Sequence, residues 1–300
     1  EQWRSVHAVT APLLIVLAFA HSWVAGDDLE TASLKTIWVV LLCVAVPVFS
    51  YHRFFRPLRL KERAYRVVEV RPETEGVHTV KMAPPEGEKV PDYLPGQFHF
   101  VTFYRGRGLP VEEHHWTISS SPAEKGFVSS TIKNLGDFTS TIWMTKVGDS
   151  AAVQGPFGRF SYLLHPEERD LVFLAGGIGI TPLMSMLRHM RDTGDTRSVL
   201  LLYANRSEEQ IVFQNELSEI ETGGRPGLRV VHVLSRPDEA WEGETGHIDR
   251  DRIVDHCGEL EGKVFYVCGP PAMRESVVTG LLALGVPDRA VRLEIFSFLD

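Results

Sequence analysis

The sequence predicts a multi-domain chain: an α-helical membrane hairpin, then a small antiparallel β-barrel, then an α/β domain with a doubly wound parallel sheet. Three observations predict it. Two uncharged apolar runs open the chain, at 5–26 and 36–51. Short β-type runs separated by turn residues fill the middle. After Pro166, buried apolar strands alternate with helix-length segments.

The first run, SVHAVTAPLLIVLAFAHSWVAG, holds no Asp, Glu, Lys or Arg. A membrane span needs roughly 17–25 apolar residues. The second run, TIWVVLLCVAVPVFSY, reaches that length with Leu34 and Tyr51. GDDLETASLK between them reads as a short, mostly acidic turn. After Tyr51 come Arg53, Arg56, Arg59, Lys61 and Arg63, and positive loops stay inside. The expectation is a multi-pass protein of the cell membrane, with everything after residue 52 in the cytoplasm. His7 and His21 lie fourteen residues apart in the first run. On a helix that is ~21 Å along the axis and within about 40° of one face. Ionisable groups inside a membrane are functional by default, and neutral imidazole is an axial ligand for haem iron. The alternative is a pair of interfacial or pore-lining histidines without a metal.

Composition supports a folded remainder. With 44% hydrophobic and 23% charged residues, overall disorder is excluded. A net charge of -8 argues against a nucleic-acid binder. Cys43, Cys257 and Cys268 form no CxxC pair, so neither a disulfide scaffold nor a zinc site has a starting point.

The barrel strands are AYRVVEV (64–70), VHTVKMA (77–83), QFHFVTFY (97–104), FVSSTIK (127–133) and SAAVQ (150–154). PPEGE, LPGQ, GRGLP and AEKG supply turns between them, and one helix is expected over 138–147. The α/β part pairs LVFLAGG with TPLMSMLRHM, SVLLLYA with EEQIVFQNELSEI, LRVVHVL with DRDRIVDHC, and KVFYVCG with PAMRESVVTGLLAL; VRLEIF closes it. The expected domains are 1–55, 60–164 and 165–300.

Four segments carry chemistry. GGIGITP (176–182) follows a buried strand and opens a helix. Its glycines let backbone amides approach a phosphate at the helix terminus, although a bland strand–turn–helix junction reads the same way. CGPPAM (268–273) brings a thiol to the carboxyl end of a parallel strand, where ligands bind in such sheets; a buried structural cysteine is the plain alternative. HHWTISSSP (114–122) sets an aromatic and several hydroxyls on one strand, for stacking on a planar ring and donating to it. IKNLGDFTS (132–140) joins a strand, a Gly turn and a helix start. Each of the last two could also be ordinary barrel sequence.

In this order and spacing, with a terminal EIF, the set resembles the ferredoxin–NADP reductase superfamily. The two preceding spans make it similar to the membrane branch of ferric reductases and NADPH oxidases. The resemblance implies FAD, NAD(P)H and, in the membrane part, haem b held by His7 and His21. The family's flavin motif, Arg-x-Tyr-Ser or His-Pro-Phe-Thr, is matched by His114, His115, Trp116 and Thr117. The second histidine and the tryptophan are departures. Ser119 and Ser120 follow as further FAD-binding candidates. Lys133, Gly136, Phe138 and Thr139 match the pyrophosphate segment. Gly176, Gly177, Gly179, Thr181 and Pro182 match the nicotinamide-nucleotide phosphate loop, and Cys268, Gly269 and Pro270 the segment beside the nicotinamide. Glu294 and Phe296 match a C-terminal Glu-x-Phe whose aromatic covers the flavin, a role Phe298 could also fill. Thr117, Cys268, Glu294 and Phe296 are thereby the expected catalytic positions.

The resemblance implies hydride transfer from NAD(P)H to FAD. Single electrons then pass through haem to an outer acceptor, ferric chelate or dioxygen. The alternative is a membrane-anchored reductase that donates to a partner protein without haem. Since the family carries about six membrane helices, the chain is expected to be a fragment lacking four upstream helices. Asn205 and Arg206 follow the second strand of the sheet, where the adenosine ribose lies. An arginine there suits the 2′-phosphate of NADPH, or else caps nearby Glu208 and Glu209.

Overall fold

The computed structural model describes residues 2–25 and 31–296, without the side chains of 2–5, 7–9, 11 and 25. The chain divides into two compact units, Glu1–Glu62 and Arg63–Asp300.

The first unit contains α1 (Gln2–Ala25), α2 (Ala32–Ser50), a π-helical turn (Tyr51–Phe55) and α3 (Arg56–Glu62). The basic flank expected to leave the helix continues it, because Leu, Arg and Lys are good helix formers. Ala32–Glu62 is therefore one 31-residue helix, long and apolar enough to cross a membrane by length and composition. Among the described residues it is the one helix that passes that test. In α1 only Pro12–Val24 is continuously apolar, and that is shorter than a span. Ser5, His7 and Thr10 dilute its start. Phe19 of α1 meets Trp38 of α2 edge-on, with ring centroids 5.8 Å apart.

The second unit opens with six antiparallel strands: β1 (Tyr65–Thr74), β2 (Val77–Ala83), β3 (Phe98–Tyr104), β4 (Glu113–Thr117), β5 (Val128–Lys133) and β6 (Ser150–Phe157), in the order β4-β3-β6-β1-β2-β5. The alternation in β3 shows how the pattern selects the faces. His99, Val101 and Phe103 are buried, while Phe98, Phe100, Thr102 and Tyr104 are half-buried. Past β4 the chain turns across the open edge. Ser119 N–H donates to Ser129 O at 2.8 Å and closes β4 onto β5. The helix expected over 138–147 is instead a 3₁₀ segment, Thr139–Met144. Its β-branched Thr139, Thr141 and Ile142 are weak helix formers.

The parallel sheet follows: β7 (Asp170–Gly176), β8 (Ser198–Asn205), β9 (Gly227–Leu234), β10 (Glu244–Thr245), β11 (Val264–Cys268) and β12 (Val291–Glu294), in the order β10-β9-β8-β7-β11-β12. Helices α4 (Ile180–Thr193), α5 (Gln214–Gly223), α6 (Arg250–Cys257) and α7 (Pro271–Ala283) connect it. β7 is buried from Leu171 to Gly176, as a central strand covered on both faces must be. The helix expected from Glu208 begins only at Gln214, after a 3₁₀ turn and Phe213 at φ 65.

A buried arginine joins barrel and sheet. Arg188 of α4 donates from Nη1 to Ser119 O at 2.5 Å, and from Nε and Nη2 to the Glu216 carboxylate at 2.9 and 2.6 Å. Ser185, one turn earlier, donates to Ser120 O at 2.7 Å. Burial pushes the Glu216 carboxyl up, but Arg188 and Arg191 outweigh it and hold it below the usual range. Removing one partner of a buried pair strands the other, at a cost of about 3–5 kcal/mol. Arg188→Leu is therefore expected to lower unfolding free energy by that amount in denaturant titration, with Arg191→Leu costing clearly less.

Candidate functional site

The sheet order sets the site. From β7 the connections run outward through β8 and β9, and then return to β11 and β12 on the other side. Between β7 and β11 the direction reverses, and ligands bind outside the carboxyl ends of strands at such a switch point. Gly176 ends β7 and Cys268 ends β11. The loop after β7 is a three-residue 3₁₀ turn, Gly177–Gly179, in which Gly177 adopts φ +52. Gly179 is pressed against the neighbouring strand end. A Cβ there would lie 2.7 Å from the Cys268 carbonyl carbon and 2.8 Å from Gly269 Cα. Pro182 and Thr181 are buried in the first turn of α4.

A cleft of about 730 Å³ opens at this point, within the roughly 300–1,000 Å³ of small-molecule sites. Gly176, Gly177, Asn205, Arg206, Ser235 and Pro270 line it. Asn205 is buried, and its Nδ2 has no hydrogen-bond partner among the described residues. A buried amide with an unfilled donor on a cleft wall fits a polar ligand such as a nucleotide ribose. Arg236, exposed, follows Ser235, and its N–H donates to Arg206 O at 2.7 Å, which brings two arginines to the same end.

A second, more apolar cleft lies between barrel and sheet. His115, Trp116, Thr117, Lys133 and Thr139 reach it from the barrel, Ile178 and Thr181 from the sheet, and Glu294 and Phe296 from the end of β12. Phe98, Thr131 and Ile132 add further wall. Lys133 and Leu135 line both clefts. Apolar walls with several threonine hydroxyls and one ammonium suit a planar ring carrying a phosphate, so the residues fit FAD.

Several expected residues sit elsewhere. Ser119 and Ser120 are fully buried: their carbonyls accept from Arg188 and Ser185 of α4, and their hydroxyls bond Thr131 and Tyr93. The chain turns inward after Thr117 to close the barrel and takes both hydroxyls with it. Trp116 also packs away from the cleft. It stacks on His114 at 5.4 Å and lies 5.8 Å from Phe103 in the barrel core. His114 in turn meets Phe138 at 4.2 Å, and Arg105 caps that ring at 4.9 Å. Phe138 is buried in this stack. Thr139 Oγ1 accepts from the N–H groups of Leu135 and Gly136, at 2.9 Å each, so those amides already have a partner. Cys268 lines neither cleft among the described residues. It is fully buried, and burial raises its thiol well above the usual range. Its backbone, packed on Gly179, is what shapes the site.

Glu294 pairs with Cys268 across the β11–β12 ladder. Burial raises its carboxyl to about 7, against the opposing pull of Arg274. Its folded value lies above the unfolded one, so its favourable contribution is complete below about 4.5 and is lost as pH rises through about 7. The expected result is a thermal midpoint that falls across that window, and a shallower fall in Glu294→Gln.

His21 is exposed on α1, and the side chain of His7 lies outside the described residues. Phe298 also lies outside the described residues. Sequence reasoning missed Phe98, Ile178, Ser235 and Arg236. Alternation in β3 could have placed Phe98 beside Thr117, its partner across the β3–β4 ladder.

Barrel, doubly wound sheet and two adjoining clefts define the frame of a flavin- and nicotinamide-dependent oxidoreductase. A family model described as the oxidoreductase NAD-binding domain matches residues 173–279. NADH-cytochrome b5 reductase 2 of Rattus norvegicus is 34% identical over 199 residues, covering 57% of this chain and 72% of that protein. An NADPH nitrate reductase of Emericella nidulans is 36% identical over 163 residues, half of this chain, but the match spans only 19% of that protein. Among solved structures, the FAD/NAD-binding domain of nitric oxide dioxygenase from Vibrio cholerae superposes with TM-score 0.67 at 26% identity, over 77% of this chain and 97% of that one. The chain belongs to the ferredoxin–NADP reductase superfamily, a family of NAD(P)H-dependent oxidoreductases that bind FAD. These likenesses carry the superfamily and not its membrane branch.

Proposed function

We propose that the chain is a membrane-anchored NAD(P)H–FAD reductase that passes electrons singly to an acceptor. The observation that carries this reading is the meeting of the two clefts at Lys133 and Leu135. A nucleotide bound along the switch point can extend its nicotinamide toward the ring cleft. The chemistry FAD supplies when bound is two-electron acceptance and one-electron release. The chain's own residues position and shield. Thr117 offers a hydroxyl to the ring edge, Lys133 a charge to phosphate, and Gly177 an open approach for the nucleotide backbone. Glu294 and Phe296 cover the apolar wall and exclude water. The helix Ala32–Glu62 and its basic flank support the anchor, with the flavin and nucleotide unit in the cytoplasm.

The finer reading adds haem b and a ferric-chelate or dioxygen acceptor. It draws on the ~21 Å spacing of His7 and His21 on one helix. A Soret band in the purified chain that is lost in His21→Leu supports it; flavin absorption alone leaves the haem-free reductase that serves a partner protein.

Arg206 supports NADPH over NADH. Losing a charge-assisted hydrogen bond to phosphate costs about 1.5–3 kcal/mol. Arg206→Ala is expected to lower kcat/KM for NADPH by about tenfold or more, with NADH nearly unchanged. Equal loss for both nucleotides removes the assignment.

A further inference from the structure

Thr131 lines the ring cleft and heads a line of hydroxyls that leads away from it. It faces Thr79 across the β2–β5 ladder, with Oγ1 atoms 2.7 Å apart. Thr79 Oγ1 lies in turn 2.5 Å from Glu73 Oε1. An ionised carboxylate can only accept, so Thr79 donates to Glu73 and Thr131 donates to Thr79. Ser119 Oγ adjoins Thr131 at 3.0 Å. Both threonines are buried. Glu73 is the outer end of the line. Arg71 holds its carboxylate from Nε and Nη2, at 3.1 and 2.8 Å. It lines a surface cleft of about 470 Å³ together with Glu208, Glu209, Glu216 and Glu219. A cross-strand threonine pair is by itself ordinary sheet stabilisation. This pair differs in its two ends, one at the ring cleft and one at a carboxylate beside solvent.

We propose that Thr131, Thr79 and Glu73 form a relay that carries protons from the ring cleft to solvent. The proposal rests on the reading of the two clefts given above. In that reading each turnover brings one hydride into the ring cleft, and two electrons leave it singly. A hydride less two electrons is one proton, which must leave between apolar walls. Both threonine hydroxyls already point toward Glu73. As Thr131 Oγ1 takes the proton from the cleft, its own passes to Thr79, and that of Thr79 passes to the Glu73 carboxylate. In each transfer one O–H bond forms as another breaks. Glu73 then releases the proton to water in the surface cleft, and the two hydroxyls rotate back. The competing outlet is Glu294, which lines the same ring cleft.

The test uses the flavin-loaded full chain, Glu73→Gln, Thr79→Val, Thr79→Ser and Glu294→Gln. Anaerobic bleaching by NADPH reads hydride arrival. Mixing the bleached chain with ferricyanide, a one-electron acceptor, reads the step that must shed the proton. That second step is expected to slow by about tenfold or more in Glu73→Gln and Thr79→Val, and D2O should slow it further there than in wild type. Thr79→Ser, which keeps a hydroxyl, should restore it. Acetate should rescue Glu73→Gln, because it can enter the surface cleft, and should not rescue Thr79→Val, whose gap is buried. A merely structural role moves neither the isotope effect nor the selective rescue. In the flavin-free chain, the Thr131 hydroxyl proton, followed by NMR, should exchange with water more slowly in Glu73→Gln than in wild type.

Wild-type rates of the ferricyanide step in Glu73→Gln overturn the relay, and this variant decides even if Thr79→Val does not fold. So does a slowing that acetate rescues in both variants or in neither. A slowing confined to Glu294→Gln gives the proton to that carboxylate and overturns the relay as well. If wild type holds no flavin, or is not bleached by either nucleotide, the reading of the clefts falls. The hydroxyl exchange still decides the relay, since equal rates in wild type and Glu73→Gln overturn it.

Discussion

A Gly179→Ala chain is expected to keep its flavin and lose at least a hundredfold in kcat/KM for the nicotinamide nucleotide. The cause is space rather than backbone freedom, because Gly179 has an ordinary helical φ of -61. The added methyl would meet the Cys268 carbonyl carbon at 2.7 Å and Gly269 Cα at 2.8 Å. Both are backbone atoms in a buried strand end and cannot rotate away. Relief must come from spreading β7 and β11, at an overpacking cost of about 1–3 kcal/mol. Spreading the strands widens the crevice that aims the nucleotide, and misplacement by about 1 Å can cost roughly a hundredfold in rate. Gly177→Ala makes the contrast. Nothing lies within 4 Å of its Cβ position, but φ is +52. Backbone strain of about 1–2 kcal/mol should dominate there, together with the lost approach of a phosphate. Steady-state kinetics with a melting curve on each variant separates the two effects.

Thr117→Ala combined with Trp116→Ala is expected to yield chain with less than a tenth of the wild-type flavin. Thr117 is 6% exposed and faces the ring cleft with a hydroxyl. Trp116 supports the strand from the other side through its stack with His114 and Phe138. Removing both takes the donor and the rigid backing together. Thr117→Ser, which keeps the hydroxyl, should retain flavin, and this separates loss of the donor from loss of the strand. Flavin released by denaturation and measured per chain is the readout. A double variant with wild-type content means the ring binds elsewhere.

What the sequence made legible was local. LVFLAGG is a central buried strand because nothing in it tolerates solvent, and the glycine loop after it falls at the switch point as its position implied. The order of strand and helix after Pro166 held, except that the helix expected from Glu208 starts at Gln214. The losses are tertiary. Ser119 and Ser120 look like the neighbouring Thr117, yet the closing turn of the barrel carries their carbonyls to Arg188 and Ser185 of α4. Cys268 ends its strand between the two clefts' strand ends, but its thiol is fully buried. The contact of His115 with Phe296 spans 181 positions and two domains, and no pattern along the chain announces it.

The central claim is that one chain holds FAD beside a nicotinamide site and moves electrons between them. Anaerobic titration of the flavin-reconstituted chain with NADPH, and separately with NADH, followed in the flavin's visible absorption, tests it most directly. About one FAD retained per chain is expected, with complete bleaching by one equivalent of the preferred nucleotide, slowed at least a hundredfold in Gly179→Ala. A chain that retains no FAD after reconstitution, or one that retains it and stays yellow with both nucleotides, is not an NAD(P)H–FAD reductase.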